Sequence, residues 1–179
     1  MSETHVQHAH QARSRDASRR NWSIVIIVMV ATLALDQWSK WLVIDWLGSA
    51  SPVHRREFVA AVLAFEYVEN TGAAFGIFAG RVWLLSVLAI LVGGTFLLTF
   101  RSAIERNRLL CLALGLILGG AAGNLIDRIR LGHVTDFIAV GAWPRFNIAD
   151  SAITVGLVLI TVSLSGEHRG SNETPGQPT

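Results

Sequence analysis

The amino-acid sequence predicts an all-α membrane bundle of four transmembrane helices. Of its 179 residues, 51% are hydrophobic and only 16% are charged, where an average soluble domain carries ~25% charged residues. Mean hydropathy is +0.45. Four windows hold no charged residue at all: Trp22–Leu35, Val82–Phe100, Leu109–Ile126 and Ser151–Ser165. This composition excludes a disordered chain, a coiled coil and an ordinary soluble domain. At ~100–200 residues per domain, the chain is one unit. The isoelectric point of 9.3 does not argue for a nucleic-acid partner, because the charges sit between and beyond the apolar windows.

A spanning helix needs ~20 mostly apolar residues, with a working range of ~17–25. The first window is too short alone. It spans only by continuing through Asp36-Gln37-Trp38-Ser39-Lys40 to Ile44, which puts two charges inside a membrane helix. Its basic approach (Arg13, Arg15, Arg19, Arg20) resembles a signal peptide, but no A-x-A-like cleavage site follows, and it reads as an uncleaved anchor. Val82–Phe100 and Leu109–Ile126 qualify directly. Ser151–Ser165 becomes adequate when extended back to Ile148. Arg101, Arg106 and Arg108 between the second and third spans belong on the same side as the N-terminal arginines. Both termini are therefore expected in the cytoplasm, with 48–80 and 131–146 outside. Residues 1–21 are expected to form a disordered basic arm, 22–165 the membrane domain and 166–179 a disordered tail. His5, His8 and His10 read as incidental to that arm.

Gly115, Gly119 and Gly123 fall on one face of the third helix, where small residues let helices approach closely. Cys111 is the only cysteine; it lies in an apolar helix and reads as packing. The sequence has no CxxC, His-x-x-x-His or HExxH, so neither a metal nor another cofactor is expected.

Ionisable residues at membrane depth are costly and mark candidate sites. Asp36 and Lys40 share a face at i, i+4; a structural ion pair and a functional group are both open readings. If the third helix continues, Asn124 and Arg128 share a face, with Asp127 beside them. Asn147 reads as an N-cap with Asp150 at N3, a variant capping box in which the carboxylate complements the helix dipole. Asp136 sits among Val, Phe and Ile with no local partner. Two carboxylates meeting at one site share a proton, so that one activates water while the other polarises a carbonyl. That suits amide hydrolysis without a metal or a covalent intermediate. A small proton- or ion-coupled transport protein, relaying through Asp36, Lys40, Asp127 and Asp150, is the alternative. It would spread its carboxylates through the membrane depth, whereas these residues collect toward the outer helix ends.

Five blocks occur in order: Asp36-Gln37-x-x-Lys40, Asn70-Thr71-Gly72-Ala73-Ala74-Phe75, Gly123-Asn124-x-x-Asp127-Arg128, Val134-x-Asp136-Phe137 and Phe146-Asn147-x-Ala149-Asp150. With these blocks the chain resembles the lipoprotein signal peptidases (signal peptidase II), bacterial membrane aspartic peptidases, over residues 24–165. The resemblance implies a catalytic pair at Asp136 and Asp150. It implies supporting or substrate-binding roles for Asp36, Lys40, Asn70, Gly72, Asn124, Asp127, Arg128 and Asn147. The implied activity is removal of signal peptides from prolipoproteins by cleavage before a diacylglyceryl-modified cysteine. The implied partners are that lipidated substrate and membrane lipid, with the enzyme a monomer in the bacterial inner membrane and its site on the extracytoplasmic side. A small extracytoplasmic β-cradle is implied from residues 48–80, where Phe58–Val68 is rich in Val, Phe and Tyr and Asn70-Thr71-Gly72 suits a turn. The basic arm lies outside the family core, and the Ile138–Pro144 linker is short for it.

Overall fold

The structure, a computed structural model, describes residues 3–48, 55–59, 62–72, 80–104 and 107–170. Seven elements follow in order: α1 (Glu3–Leu47), β1 (Arg55–Val59), β2 (Leu63–Asn70), α2 (Val82–Ile104), α3 (Arg108–Leu131), β3 (Val134–Val140) and α4 (Ile148–Gly170). Among the described residues, four stretches are long and apolar enough to cross a membrane: Ser18–Leu47, Val82–Ile104, Arg108–Leu131 and Ile148–Ser165.

The helix boundaries have local causes. No Gly or Pro occurs between Glu3 and Leu47, and α1 ends where Gly48 N–H closes on the Ile44 carbonyl at 3.0 Å. The expected disordered arm is instead the first part of this helix. Ala9, Gln11, Ala12, Arg13 and Arg15 are strong helix formers, and a span already nucleated propagates into them cheaply. The expected tail is likewise shortened, because α4 runs to Gly170. The side chains of His5, His8 and His10, and residues 171–179, lie outside the described residues. Asn107 caps α3, accepting from the N–H groups of Leu109 and Leu110, and Gly132 stops it in the left-handed region at φ 77°. Few residues other than glycine adopt that angle cheaply.

The central helix is α3, packed against α1, α2 and α4. Its glycine stripe shares one face, as the spacing predicts, and that face meets α1. A Cβ on Gly115 would lie 2.7 Å from Val28 Cβ, and one on Gly119 would lie 2.6 Å from the Met29 carbonyl. On the opposite face, a Cβ on Gly120 would lie 2.5 Å from the Ala149 carbonyl. Glycine therefore sets both interhelical distances. Cys111, fully buried with Leu110, Leu114 and Ile117, fills the core toward the other end of the bundle.

The three strands form one antiparallel sheet in the order β1-β2-β3. The cradle does not come from 48–80 alone. That segment supplies the β1–β2 hairpin, and the third strand is Val134–Val140, which carries Asp136. The short linker after Ile138 is explained in the same way. The chain completes β3, turns at Gly141, and returns so that Phe146 bridges Ile138. Phe65 and Phe137, edge to face with centroids 5.9 Å apart, pack with Val43 and Leu47 of α1. The sheet is thereby anchored at the end of the bundle where α1 and α3 finish and α2 and α4 begin.

Candidate active site

Two hydrogen-bonded groups meet at this end. The first centres on Lys40, whose ammonium lies 2.8 Å from Asp36 Oδ2 and 2.8 Å from Asp127 Oδ2. All three residues are buried. The i, i+4 pair on α1 thus exists and is extended across to α3. The close approach depends on Gly123, because a Cβ there would collide with the Asp36 carboxylate. Asp36 Oδ1 accepts the Ala149 N–H at 2.9 Å and so caps the first turn of α4 from a different helix. Asp127 Oδ2 accepts the Thr135 N–H at 3.2 Å, fixing the start of β3. Gln37, unassigned by sequence reasoning although it neighbours Asp36, donates to Asp127 Oδ1 at 2.9 Å and to the Gly123 carbonyl at 3.2 Å.

The second group contains Asp136 and Asp150. Asn147 and Asp150 form the capping box that their spacing predicts. Asp150 N–H donates to Asn147 Oδ1 at 2.9 Å, and Asn147 N–H donates to Asp150 Oδ2 at 3.2 Å. The Asn147 amide also reaches across to β3, with Nδ2 donating to Asp136 Oδ1 at 2.7 Å. Asn70, at the end of β2, donates to Asp136 Oδ2 at 2.8 Å. Asn70 Oδ1 in turn accepts the Gly72 N–H at 2.9 Å, which forms the expected turn. Ala73, Ala74 and Phe75 of that motif lie outside the described residues. Asn124 Nδ2 donates to Asp150 Oδ1 at 2.8 Å, while its Oδ1 accepts from Lys40 at 2.9 Å and from Asn147 at 3.1 Å. The structure therefore gathers every residue the sequence named: Asp36, Lys40, Asn70, Gly72, Asn124, Asp127, Arg128, Asp136, Asn147 and Asp150.

Electrostatics set the site apart from a plain ion-pair lock. Four carboxylates (Asp36, Asp127, Asp136, Asp150) face two cations (Lys40, Arg128), so full ionisation would leave two negative charges uncompensated. Burial pushes the Asp136 carboxyl up to about 6; the Asp150 charge adds to the rise, while the Asn70 and Asn147 hydrogen bonds oppose it. A carboxyl poised near neutrality inside a cavity is suited to proton transfer.

The two carboxylates line a cavity of about 820 Å³ between α2 and α4, with Ile117 and Ala121 of α3 in its wall and Arg128 near the carboxylates. Leu85, Leu88 and Val92 make its α2 side apolar, and Trp143–Phe146 also line it. Sequence reasoning missed Arg145. It lines the cavity and donates twice to Glu66 Oε2, at 2.8 and 3.0 Å, tying the loop before α4 to β2. Glu66 is 79 residues distant, and no local pattern marks the pair.

A family model described as "Signal peptidase (SPase) II" matches residues 28–165. A lipoprotein signal peptidase of Shouchella clausii (strain KSM-K16) is 43% identical over 147 residues, covering 79% of this chain and 94% of the relative. One from Syntrophomonas wolfei subsp. wolfei is 42% identical over 157 residues, covering 86% and 99%. A solved bacterial membrane enzyme, determined by the in meso method at 2.3 Å resolution, superposes with a TM-score of 0.73 at 28% identity. The match covers 87% of this chain and 94% of that one.

Proposed function

Because the chain belongs to the signal peptidase II family, whose activity is removal of signal peptides from prolipoproteins, we propose that Asp136 and Asp150 carry out the hydrolysis. The supporting observation is that one residue, Asn147, holds both carboxylates, and both line one partly apolar cavity. The pair shares a proton. Its ionised member takes a proton from water, and the oxygen attacks the scissile carbonyl carbon. Its protonated member gives its proton to the carbonyl oxygen as the tetrahedral intermediate forms. Collapse re-forms the carbonyl, breaks the C–N bond and delivers a proton to the leaving nitrogen. Asn124 and Asn147 orient the carboxylates, and Arg128 supplies positive charge at the cavity wall. The transport alternative is not supported by the family match.

The scissile bond lies just before a diacylglyceryl-modified cysteine. Acyl chains held in the bilayer bring that bond to the outer helix ends, and the apolar wall formed by Leu85, Leu88 and Val92 suits such a substrate. Binding energy from the lipid then serves to position the peptide. The protein acts as a monomer in the bacterial inner membrane, with residues 22–165 as its peptidase domain. Its site is extracytoplasmic and both termini are in the cytoplasm.

Single-turnover cleavage of a diacylglyceryl-modified prolipoprotein tests this. Asp136→Asn and Asp150→Asn each lose at least ~10²–10⁴-fold while still inserting and binding substrate. Near-normal cleavage by either variant removes the two-carboxylate mechanism. The same prolipoprotein without its lipid is cut far more slowly; equal rates overturn the lipid's positioning role.

A further inference from the structure

Lys40 is the sole lysine in a chain with fourteen arginines. Its side chain is 3% exposed, and its three ammonium protons match three acceptors at 2.8–2.9 Å: Asp36 Oδ2, Asp127 Oδ2 and Asn124 Oδ1. An ammonium is a compact point donor that accepts nothing, whereas a guanidinium is a planar fork too wide for this set of contacts. The choice of lysine at this one place has a consequence for Asn124. An amide side chain presents oxygen one way and NH₂ the other, and the two orientations have nearly the same shape. With a donor-only group on one side, the Asn124 oxygen faces Lys40, and its NH₂ faces Asp150 Oδ1 at 2.8 Å. The same oxygen accepts from Asn147 Nδ2, the group that also donates to Asp136 Oδ1. Two short chains of hydrogen bonds thus run from one ammonium to both carboxylates.

We propose that Lys40 is a positioning residue for the hydrolysis: acting through Asn124, it dictates that N–H donors, not oxygens, face the catalytic carboxylates. This rests on the Asp136–Asp150 assignment. Without Lys40 the Asn124 oxygen keeps only the 3.1 Å bond from Asn147 Nδ2, and the amide turns more readily to present oxygen to Asp150, an arrangement that accommodates only the protonated carboxyl. The charged groups around the pair are Asp36 and Lys40 from α1, Asp127 and Arg128 from α3, and Arg145 from the loop before α4. On β2, Glu66 is engaged with Arg145 and Arg55, and Glu69 with Tyr67.

The test is single-turnover cleavage across pH in proteoliposomes by wild type, Lys40→Met, Asn124→Leu and the double variant. Lys40→Met is expected to slow cleavage at least about tenfold and to move the acid limb of the profile to higher pH. In the Asn124→Leu background the same change is expected to cost less than about threefold, since contacting residues that act as a unit are non-additive. Lys40→Arg does not rescue. Losses that multiply, with an unmoved acid limb, overturn the proposal and leave Lys40 as a helix lock. Should Lys40→Met not fold, lysine-selective ¹⁵N labelling decides the matter with Lys40 in place, because the chain then gives one ammonium signal. That signal is expected to follow the pH transition of cleavage in wild type and to lose the response in Asn124→Leu. Persistence of the response in Asn124→Leu shows that Asn124 is not the intermediary. Asp136→Asn run alongside keeps the readings separate: retained cleavage there rejects the catalytic pair, independently of the Lys40 coupling.

Discussion

Asp136 is buried where a carboxylate is poorly solvated, and the folded chain therefore binds its proton more tightly than the unfolded chain does. With its pKa raised from 3.8 to about 6, the resulting stability is fully present below about pH 4 and is lost as the pH rises through 6. The shift corresponds to roughly 3 kcal/mol at neutral pH. Asn at this position carries no charge at any pH. Thermal unfolding in detergent should accordingly show wild type gaining on Asp136→Asn as the pH falls from 7.5 to 4.5. A difference that stays constant across that range contradicts the burial argument. Asn147 concentrates several roles in one side chain. Asn147→Ala removes an N-cap worth ~1 kcal/mol and a donor to Asp136, and cleavage should drop by more than the stability loss explains. Measuring kcat beside folded yield separates the two effects. The cap was legible in the sequence because its partner lies three residues away. The β2 partner of Asp136 has no local signal, since Asn70 is separated from it by 66 positions.

The four helices were legible because a bilayer requires continuous apolar runs, and hydropathy reads those directly. The sheet was half legible. The β1–β2 hairpin follows from the Val, Phe and Tyr content of Phe58–Val68. The strand Val134–Val140 is buried on both faces over most of its length, so it shows no polar–apolar alternation, and the glycine before it reads only as a loop signal. Interhelical contacts were legible through glycine alone. Gly119 meets the α1 backbone and Thr32, so Gly119→Val should destabilise by at least ~1–3 kcal/mol through overpacking. Gly94 on α2 has open space around its would-be Cβ, and Gly94→Ala should be neutral or stabilise by ~0.5–1 kcal/mol. A shared melting temperature for the two variants would mean that the α1–α3 contact tolerates separation.

At the scale of the whole molecule, the polar residues gather at one end of a bundle whose lateral surfaces are largely apolar. Asn107 and Ser163 pair at 2.7 Å near the other end, where Arg101 of α2 and Arg108 of α3 also lie. That asymmetry yields a topology prediction. In a Cys111→Ser background, single cysteines placed in 131–146 should react with an impermeant maleimide from outside intact cells, and cysteines in 101–108 only after lysis. The reverse pattern inverts the molecule. The Asp36–Lys40 pair also bears on how the chain enters the bilayer. Helix α1 is synthesised well before Asp127 exists, and an isolated charge at the centre of a span costs ~2.5–3.5 kcal/mol during insertion. One turn apart on the same helix, Asp36 and Lys40 neutralise each other without help from any later segment. The Asp36–Lys40 pair can therefore enter the bilayer already neutralised, and the second carboxylate, Asp127, joins only when α3 arrives carrying it.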